Sequence, residues 1–425
     1  MAKTAKRAST ASPRRARRTP AAAAADTATT RSKTGLIFEA LPARYGDCLL
    51  LTLPGPERPI RLLVDGGPSG VFRTSLKPRL DEISAGPPAE KPLAIDAVMV
   101  SHIDEDHILG ILDLFGTLRD ADERRAPRAY QPRWLLHNSF DGLVGEGEGG
   151  AARAMSGETV LASLNAVSSV LLDDKAHTAR LVLQSYGQGS KLASLAAALK
   201  INRNPPDQGL IQFTTAQPRV LRLGDATLTV VGPLKEEIDD LQKEWAKWKA
   251  KQKDTASLAA YLDTSVPNLS SIVVLMECKG RKILLTGDAR GDHVIEGLTA
   301  AKLMPASGPL KIDILKLPHH GSSRNLDVSF FKQIQADHYV ASADGTYGNP
   351  DRATLEMIEK ARPQGGFTVY LTYSAESCDK THAEWQKGRA GGDFDPKKDA
   401  IADIVVRWKS EAKIKVAEGP VRLEL

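Results

Sequence analysis

The chain has 425 residues, of which 42% are hydrophobic and 26% charged, the balance of a soluble globular protein long enough for a large core. No apolar run approaches the span of a bilayer and the first residues lack the apolar stretch of a secretory signal, so neither a membrane helix nor a leader is expected. Cys48, Cys278 and Cys378 lie far apart without CxxC spacing, which points to a reducing compartment, the cytoplasm, and away from disulfides or a thiolate metal site.

The net charge of +5 is unevenly shared. Residues 1–34 hold Lys3, Lys6, Arg7, Arg14, Arg15, Arg17, Arg18, Arg31 and Lys33 against Asp26, a net of +8 that leaves −3 for the rest. This stretch of Ala, Thr, Ser, Pro and Arg has no apolar periodicity and is expected to be a disordered basic arm. Such an arm can hold nucleic acid or another polyanion through unspecific charge. A solvated start with no partner is the plainer reading, since nothing in it reads a groove.

Structure is expected from Leu36 onward. Leu36–Leu41 and Leu49–Leu53 read as strands separated by a turn at Arg44–Asp47. Arg61–Val64 is a third apolar run, stopped by Asp65-Gly-Gly67, and Ile95–Val100 a fourth, ending on the polar cluster Ser101–His107. Ile108–Phe115 then has the pattern of a helix start. Strand, polar loop and helix in that order place ligand-bearing loops at strand ends. Farther on, Trp134–His137 reads as a strand, Leu192–Leu199 as a helix and Thr227–Val231 as a strand. A charged helix, Leu234–Lys253, carries Trp245 and Trp248 near one side. These tryptophans could stack on bases, although at that spacing they more often pack a helix onto the body. Strands return at Ser271–Met276, Lys282–Thr286 and Ile312–Leu317, followed by two strand–helix units around His338–Ala341 and Phe367–Thr372.

Several of these strands end on side chains that bind metals. His102, Asp104, Asp106 and His107 share one short loop, two of the nine histidines of the chain. In an extended segment 102, 104 and 106 would face the same way. Imidazole and carboxylate suit zinc, manganese or iron. Asp288 follows the strand Ile283–Thr286 and could bridge two cations. His319 and His320 follow a strand and a proline, and adjacent histidines are costly to bury unless paired or ligated.

Taken in order, these segments resemble the metallo-β-lactamase superfamily. More narrowly they look like the branch that includes the hydrolase domain of the DNA-uptake protein ComEC and a choline-phosphate esterase. Tyr45-Gly-Asp-Cys-Leu-Leu-Leu51 is similar to that branch's GQGD turn and Leu63-Val-Asp-Gly-Gly67 to its IDGG turn. Ser101-His-Ile-Asp-Glu-Asp-His-Ile-Leu-Gly110 resembles the SHxHxDHxGG ligand loop. Asn268 to Asp288 resembles NxxSxVxxL…LLTGD, Ile314–Ser323 the segment VLKxPHHGS, and Tyr347-Gly-Asn-Pro350 the later YGHP. The likeness spans roughly residues 36–375.

The resemblance implies an α/β fold, a four-layer αββα sandwich over 35–425, with a partly helical insertion at about 116–265. It implies a two-metal hydrolase in which two divalent ions, zinc or manganese, supply hydroxide to attack a phosphate ester. His102 and Asp104 would hold one ion, and Asp106, His107 and Asp288 the other. His319 would complete the metal shell, Asp106 would orient the nucleophile, and His320 would contact the phosphate or protonate the leaving group, with the motif leaving open which of the two histidines takes which role. Asp65, Asn268 and Asn349 would brace these groups. Asp104 stands where the family has a histidine, as does Asn349 in YGNP, and Asn268 stands where other members place a ligand. These changes remove imidazoles and leave the metal open. The substrates this implies are DNA or RNA first and a small or lipid-linked phosphoester second. A non-catalytic module with a structural metal loop stands third. The resemblance identifies no protein partner.

Overall fold

The computed structural model of the protein describes Met1 and residues 35–84, 91–146, 187–207, 209–215, 218–251, 270–388 and 392–425. The expected arm, Met1 apart, and Asn268 lie outside the described residues. The body falls within one compact unit, Ser32–Leu425.

Its strands alternate between two apolar environments. Along β2 (Leu49–Leu53), Leu49, Leu51 and Leu53 enter one buried cluster while Leu50 enters another. Along β3 (Ile60–Val64), Leu62 and Val64 go one way and Leu63 the other. Successive side chains of a strand point to opposite faces, so a continuous apolar run marks a strand covered on both sides.

β2 and β3 lie in a seven-stranded sheet ordered β15-β1-β2-β3-β4-β5-β6. The other members are β1 (Ile37–Ala40), β4 (Leu93–Met99), β5 (Tyr130–Leu136), β6 (Asn202–Arg203) and β15 (Val421–Glu424). The second sheet has eight strands in the order β14-β13-β12-β11-β10-β9-β8-β7. In chain order these are β7 (Val220–Leu223), β8 (Ala226–Gly232), β9 (Val273–Cys278), β10 (Arg281–Leu285), β11 (Leu310–Lys316), β12 (Ile334–Ala341), β13 (Phe367–Leu371) and β14 (Ile414–Glu418).

One cluster joins inward residues of both sheets, Leu51 and Val64 with Val274, Met276 and Ile283, and so lies between them. A second lies under helices on the outer face of the first sheet. Leu80 of α1 (Lys77–Ile83) and Ile108, Ile111, Phe115 and Leu118 of α2 (Glu105–Glu123) meet Leu50, Leu63 and Val98 there. The spacings of three and four along α2 put its residues on one helical stripe. The third cluster covers the second sheet with Val294, Phe331, Leu355 and Trp408, each from a different helix. Helix, sheet, sheet and helix are the four layers the motifs implied.

Residues 116–265 supply β5 to β8, which take places in the two sheets. Trp245 is buried at 1% exposure, edge-on to Phe140 at 5.3 Å. It packs its helix, Lys235–Lys251, onto the body. Residues 147–186 and 252–269, and the side chain of Trp248, lie outside the described residues.

Candidate metal centre

The ligand loop is shorter than its sequence suggests. β4 ends at Met99 and α2 already begins at Glu105, with Asp104 in extended conformation before it. Asp106 and His107 therefore sit on the first turn of a helix, so the alternation of an extended strand is not what gathers residues 102, 104 and 106. The turn is held against the loop after β3: Gly66 N–H donates to His107 O at 2.8 Å and Gly110 N–H to Gly67 O at 3.0 Å. A Cβ on Gly110 would lie 1.9 Å from Gly66 O, so neither backbone leaves room for a side chain. That contact sets where His107 points.

The strand-end loops converge. The donor atoms of Asp47, His107, Asp288 and His320 all lie within 4.8 Å of one another, and so do those of His102, Asp106 and His107. Asp288 stands between the groups with its two oxygens divided. Oδ1 lies 3.3 Å from His107 Nε2 and 3.5 Å from His320 Nε2. Oδ2 lies 3.7 Å from both His102 Nε2 and His319 Nε2. Asp106 Oδ2 is 3.2 Å from His320 Nε2. Asp104, with its side chain 31% exposed, flanks His102 Nε2 at 3.6 Å and belongs to neither buried group.

The other side of each ring is anchored. His107 Nδ1 meets Asp65 Oδ2 at 2.9 Å, and His320 Nδ1 meets Ser342 O at 3.0 Å. Both partners are acceptors, so each neutral ring carries its proton on Nδ1 and turns a lone pair inward at Nε2. Asp65 also takes the Ser101 N–H and hydroxyl, each at 2.7 Å. Ser101 Oγ, having donated to Asp65, accepts from His102 Nδ1 at 3.1 Å. His102 Nε2 is then buried with no hydrogen-bond partner among the described residues, as is Asp288 Oδ1.

Charge completes the picture. Burial disfavours ionisation of Asp288, yet His320, His107, His319 and His102 around it hold its carboxyl well below the usual range. Burial likewise opposes charge on His107 and His320. The carboxylates outweigh it, Asp288, Asp106 and Asp65 for the first and Asp288 and Asp47 for the second, and both imidazoles are held well above their ordinary pKa. Burial lowers that of His319. This is a cavity that demands positive charge, from protons or from metal. Inward imidazole lone pairs and carboxylate oxygens with no donor to meet them fit divalent cations.

Asp47, absent from the ligands expected from sequence, is part of the same cavity. It is buried against the ammonium of Lys316 at the end of β11. Its Oδ1 lies 3.4 Å from His320 Nδ1. Burial would raise its pKa, and Lys316, His320 and His107 instead hold it low. The signal was present in Tyr45-Gly-Asp47 and in the lysine four residues before His320. Asp65 lies against both His107 Nδ1 and the Ser101 N–H and hydroxyl. Asn349 is buried in the loop after β12, where its carbonyl accepts the Gly345 N–H at 3.0 Å.

A two-sheet sandwich with histidines and aspartates gathered at its strand ends is the architecture of a metal-dependent hydrolase. The chain belongs to the metallo-beta-lactamase superfamily, whose family model matches residues 46–345. Among curated proteins it is 28% identical to human Microtubule-associated protein 1A over 98 residues, 22% of this chain and 4% of that one. It is 30% identical to ComE operon protein 3 of Bacillus subtilis over 100 residues, 23% of this chain and 12% of that one. Each match therefore takes in a small part of the relative. Among solved structures, the metallo-beta-lactamase fold protein YhfI from Bacillus subtilis aligns over 92% of this chain and 100% of its own, with 14% identity and a TM-score of 0.33. Among the described residues no helix is long and apolar enough to cross a membrane.

Proposed function

We propose that the protein is a two-metal phosphodiesterase acting on DNA or RNA. The observation that carries this is the division of Asp288, with one carboxylate oxygen facing His107 and His320 and the other facing His102 and His319. A carboxylate so placed can serve two cations at once. His107, His320, Asp106 and Asp288 would hold one ion, and His102, Asp104 and Asp288 the other. Bound zinc or manganese would make a water nucleophilic near neutral pH and offset charge developing on a phosphoryl group.

The chain's own residues do the rest. Asp65 fixes His107 through Nδ1, and the Ser342 carbonyl fixes His320, so both rings present Nε2 without rotating. Asp106, with its side chain 22% exposed, is placed to accept the proton of an attacking water. Roles at the histidine pair divide by burial. His320, with its side chain 2% exposed, is the inner ligand, whereas His319, at 35%, stands where a leaving oxygen could reach it. The motif alone left this division open. The choice of nucleic acid is supported by the PHHGSS and LLTGD segments, by the stretch similar to ComE operon protein 3 and by the +8 arm.

The test is to chelate the purified full chain, restore zinc or manganese separately, and assay single-stranded DNA, double-stranded DNA, RNA and bis-p-nitrophenyl phosphate. Metal-restored cleavage of the diester and of a nucleic acid, lost in Asp288→Asn and Asp106→Ala, is the expected result. Cleavage that survives chelation, or full activity in Asp288→Asn, would overturn the reading.

A further inference from the structure

Tyr347 stands at the tip of the loop after β12, 51% exposed, with φ 62° and ψ 8°. Glycine takes this left-handed conformation freely and a tyrosine rarely does. The loop is seated on the helix Ala375–Lys387, where a Cβ on Gly345 would fall 2.0 Å from Cys378 O. Held in this way, the Tyr347 ring stands between two others, Tyr45 at 5.4 Å and 84° and Trp385 at 5.5 Å and 73°. The Arg44 guanidinium lies 5.0 Å above the Tyr45 ring.

Tyr45 borders the metal centre. Tyr45 begins the turn that contains Asp47, whose N–H donates to Asp106 O at 3.2 Å. Between them, Gly46 O accepts from Ser342 Oγ at 2.7 Å, and the Ser342 carbonyl is the group that holds His320. The turn bearing Tyr45 and the loop leading to Tyr347 are thus bonded to one another and to two proposed ligands.

We propose that Tyr45, Tyr347 and Trp385 form a stacking platform for a nucleobase next to the scissile phosphate, with Arg44 placed for the adjoining backbone charge. This rests on the phosphodiesterase reading and narrows it to substrates that carry flat heteroaromatic rings. A solvent-exposed aromatic side chain such as Tyr347 offers a surface on which any base can stack. A backbone strained to hold an exposed aromatic at the mouth of a site has its explanation in what that ring touches.

The experiment compares binding of a fluorescein-labelled thymidine oligomer with that of a sugar–phosphate oligomer of equal length and no bases. Full-length protein is used, with manganese and again in chelator, so that binding is read apart from cleavage. The wild type should prefer the thymidine oligomer by about tenfold, within the range of base–aromatic stacking. Tyr347→Phe should keep that preference. Tyr347→Gly, which frees the backbone, should bring thymidine binding down to the level of the abasic oligomer and leave abasic binding unchanged. Equal wild-type affinity for the two oligomers overturns the platform, and so does a Tyr347→Gly change that weakens both alike. Hydrolysis of bis-p-nitrophenyl phosphate, followed alongside, separates the two readings. Diester cleavage without base preference removes the platform alone, and base preference without cleavage removes the phosphodiesterase alone.

Discussion

His107 and His320 turn their Nε2 atoms toward each other at 3.2 Å, from helix α2 and from the loop after β11. With Asp65 and the Ser342 carbonyl taking the Nδ1 protons, two neutral rings would set lone pair against lone pair. A proton on one ring relieves this, and so does a cation between them. The surrounding carboxylates favour either, so metal and protons compete for this place and metal affinity should fall with pH.

The buried pair beneath this site makes a stability prediction. Lys316 and Asp47 are both almost wholly inaccessible. Lys316→Met strands a carboxylate and should cost roughly 3–5 kcal/mol in urea unfolding. Adding Asp47→Asn should recover part of that loss. A Lys316→Met variant as stable as the wild type would show that the ion pair does not hold the loops together.

A second pair gives a pH dependence away from the metal centre. His293 pairs with Glu237, and that carboxylate, more than its burial opposes, raises the imidazole pKa. The stabilisation is complete below the ordinary histidine pKa and is lost as pH rises through the raised one. The partly buried pair contributes about 1 kcal/mol or less. With metal saturating, the wild-type melting temperature should therefore fall between mildly acid and alkaline pH more than that of His293→Gln. Identical profiles would show that the pair contributes nothing.

The basic arm is tested by its removal. Deleting residues 1–34 takes the net charge from +5 to −3 and leaves every proposed ligand in place. If the arm holds nucleic acid, affinity should drop most at low salt. The log–log salt slope should shrink by roughly 0.7 to 0.9 for each phosphate that the arm had neutralised. Hydrolysis of a small chromogenic diester should not change. An unchanged slope would exclude the arm from substrate binding.

Much of this molecule was legible in the chain because strands covered on both faces read as unbroken apolar runs, such as Leu62–Val64 and Ile283–Leu285, followed by Asp65 and Asp288. The position of the α2 start was not. Glu105, Asp106 and His107 look like loop residues, and only the docking of Gly110 onto Gly66 shows why the helix begins there. The role of Asp47 was hidden because it depends on Lys316, far along the chain. β15, which pairs antiparallel with β1, was missed for the same reason. Its four residues, VRLE, carry little apolar signal, and their partner lies at the other end of the body.

Asp288 is proposed to serve two ions with one carboxylate, and metal content tests this most directly. The chelated full chain, dialysed against manganese or zinc and analysed by mass spectrometry of the metal, should retain two ions per chain, as implied by the two oxygens of Asp288 facing different histidine pairs. Asp288→Asn should retain fewer than two while His293→Gln retains both. Wild-type protein that holds no divalent ion, or an Asp288→Asn variant that holds as many as the wild type, would contradict the account.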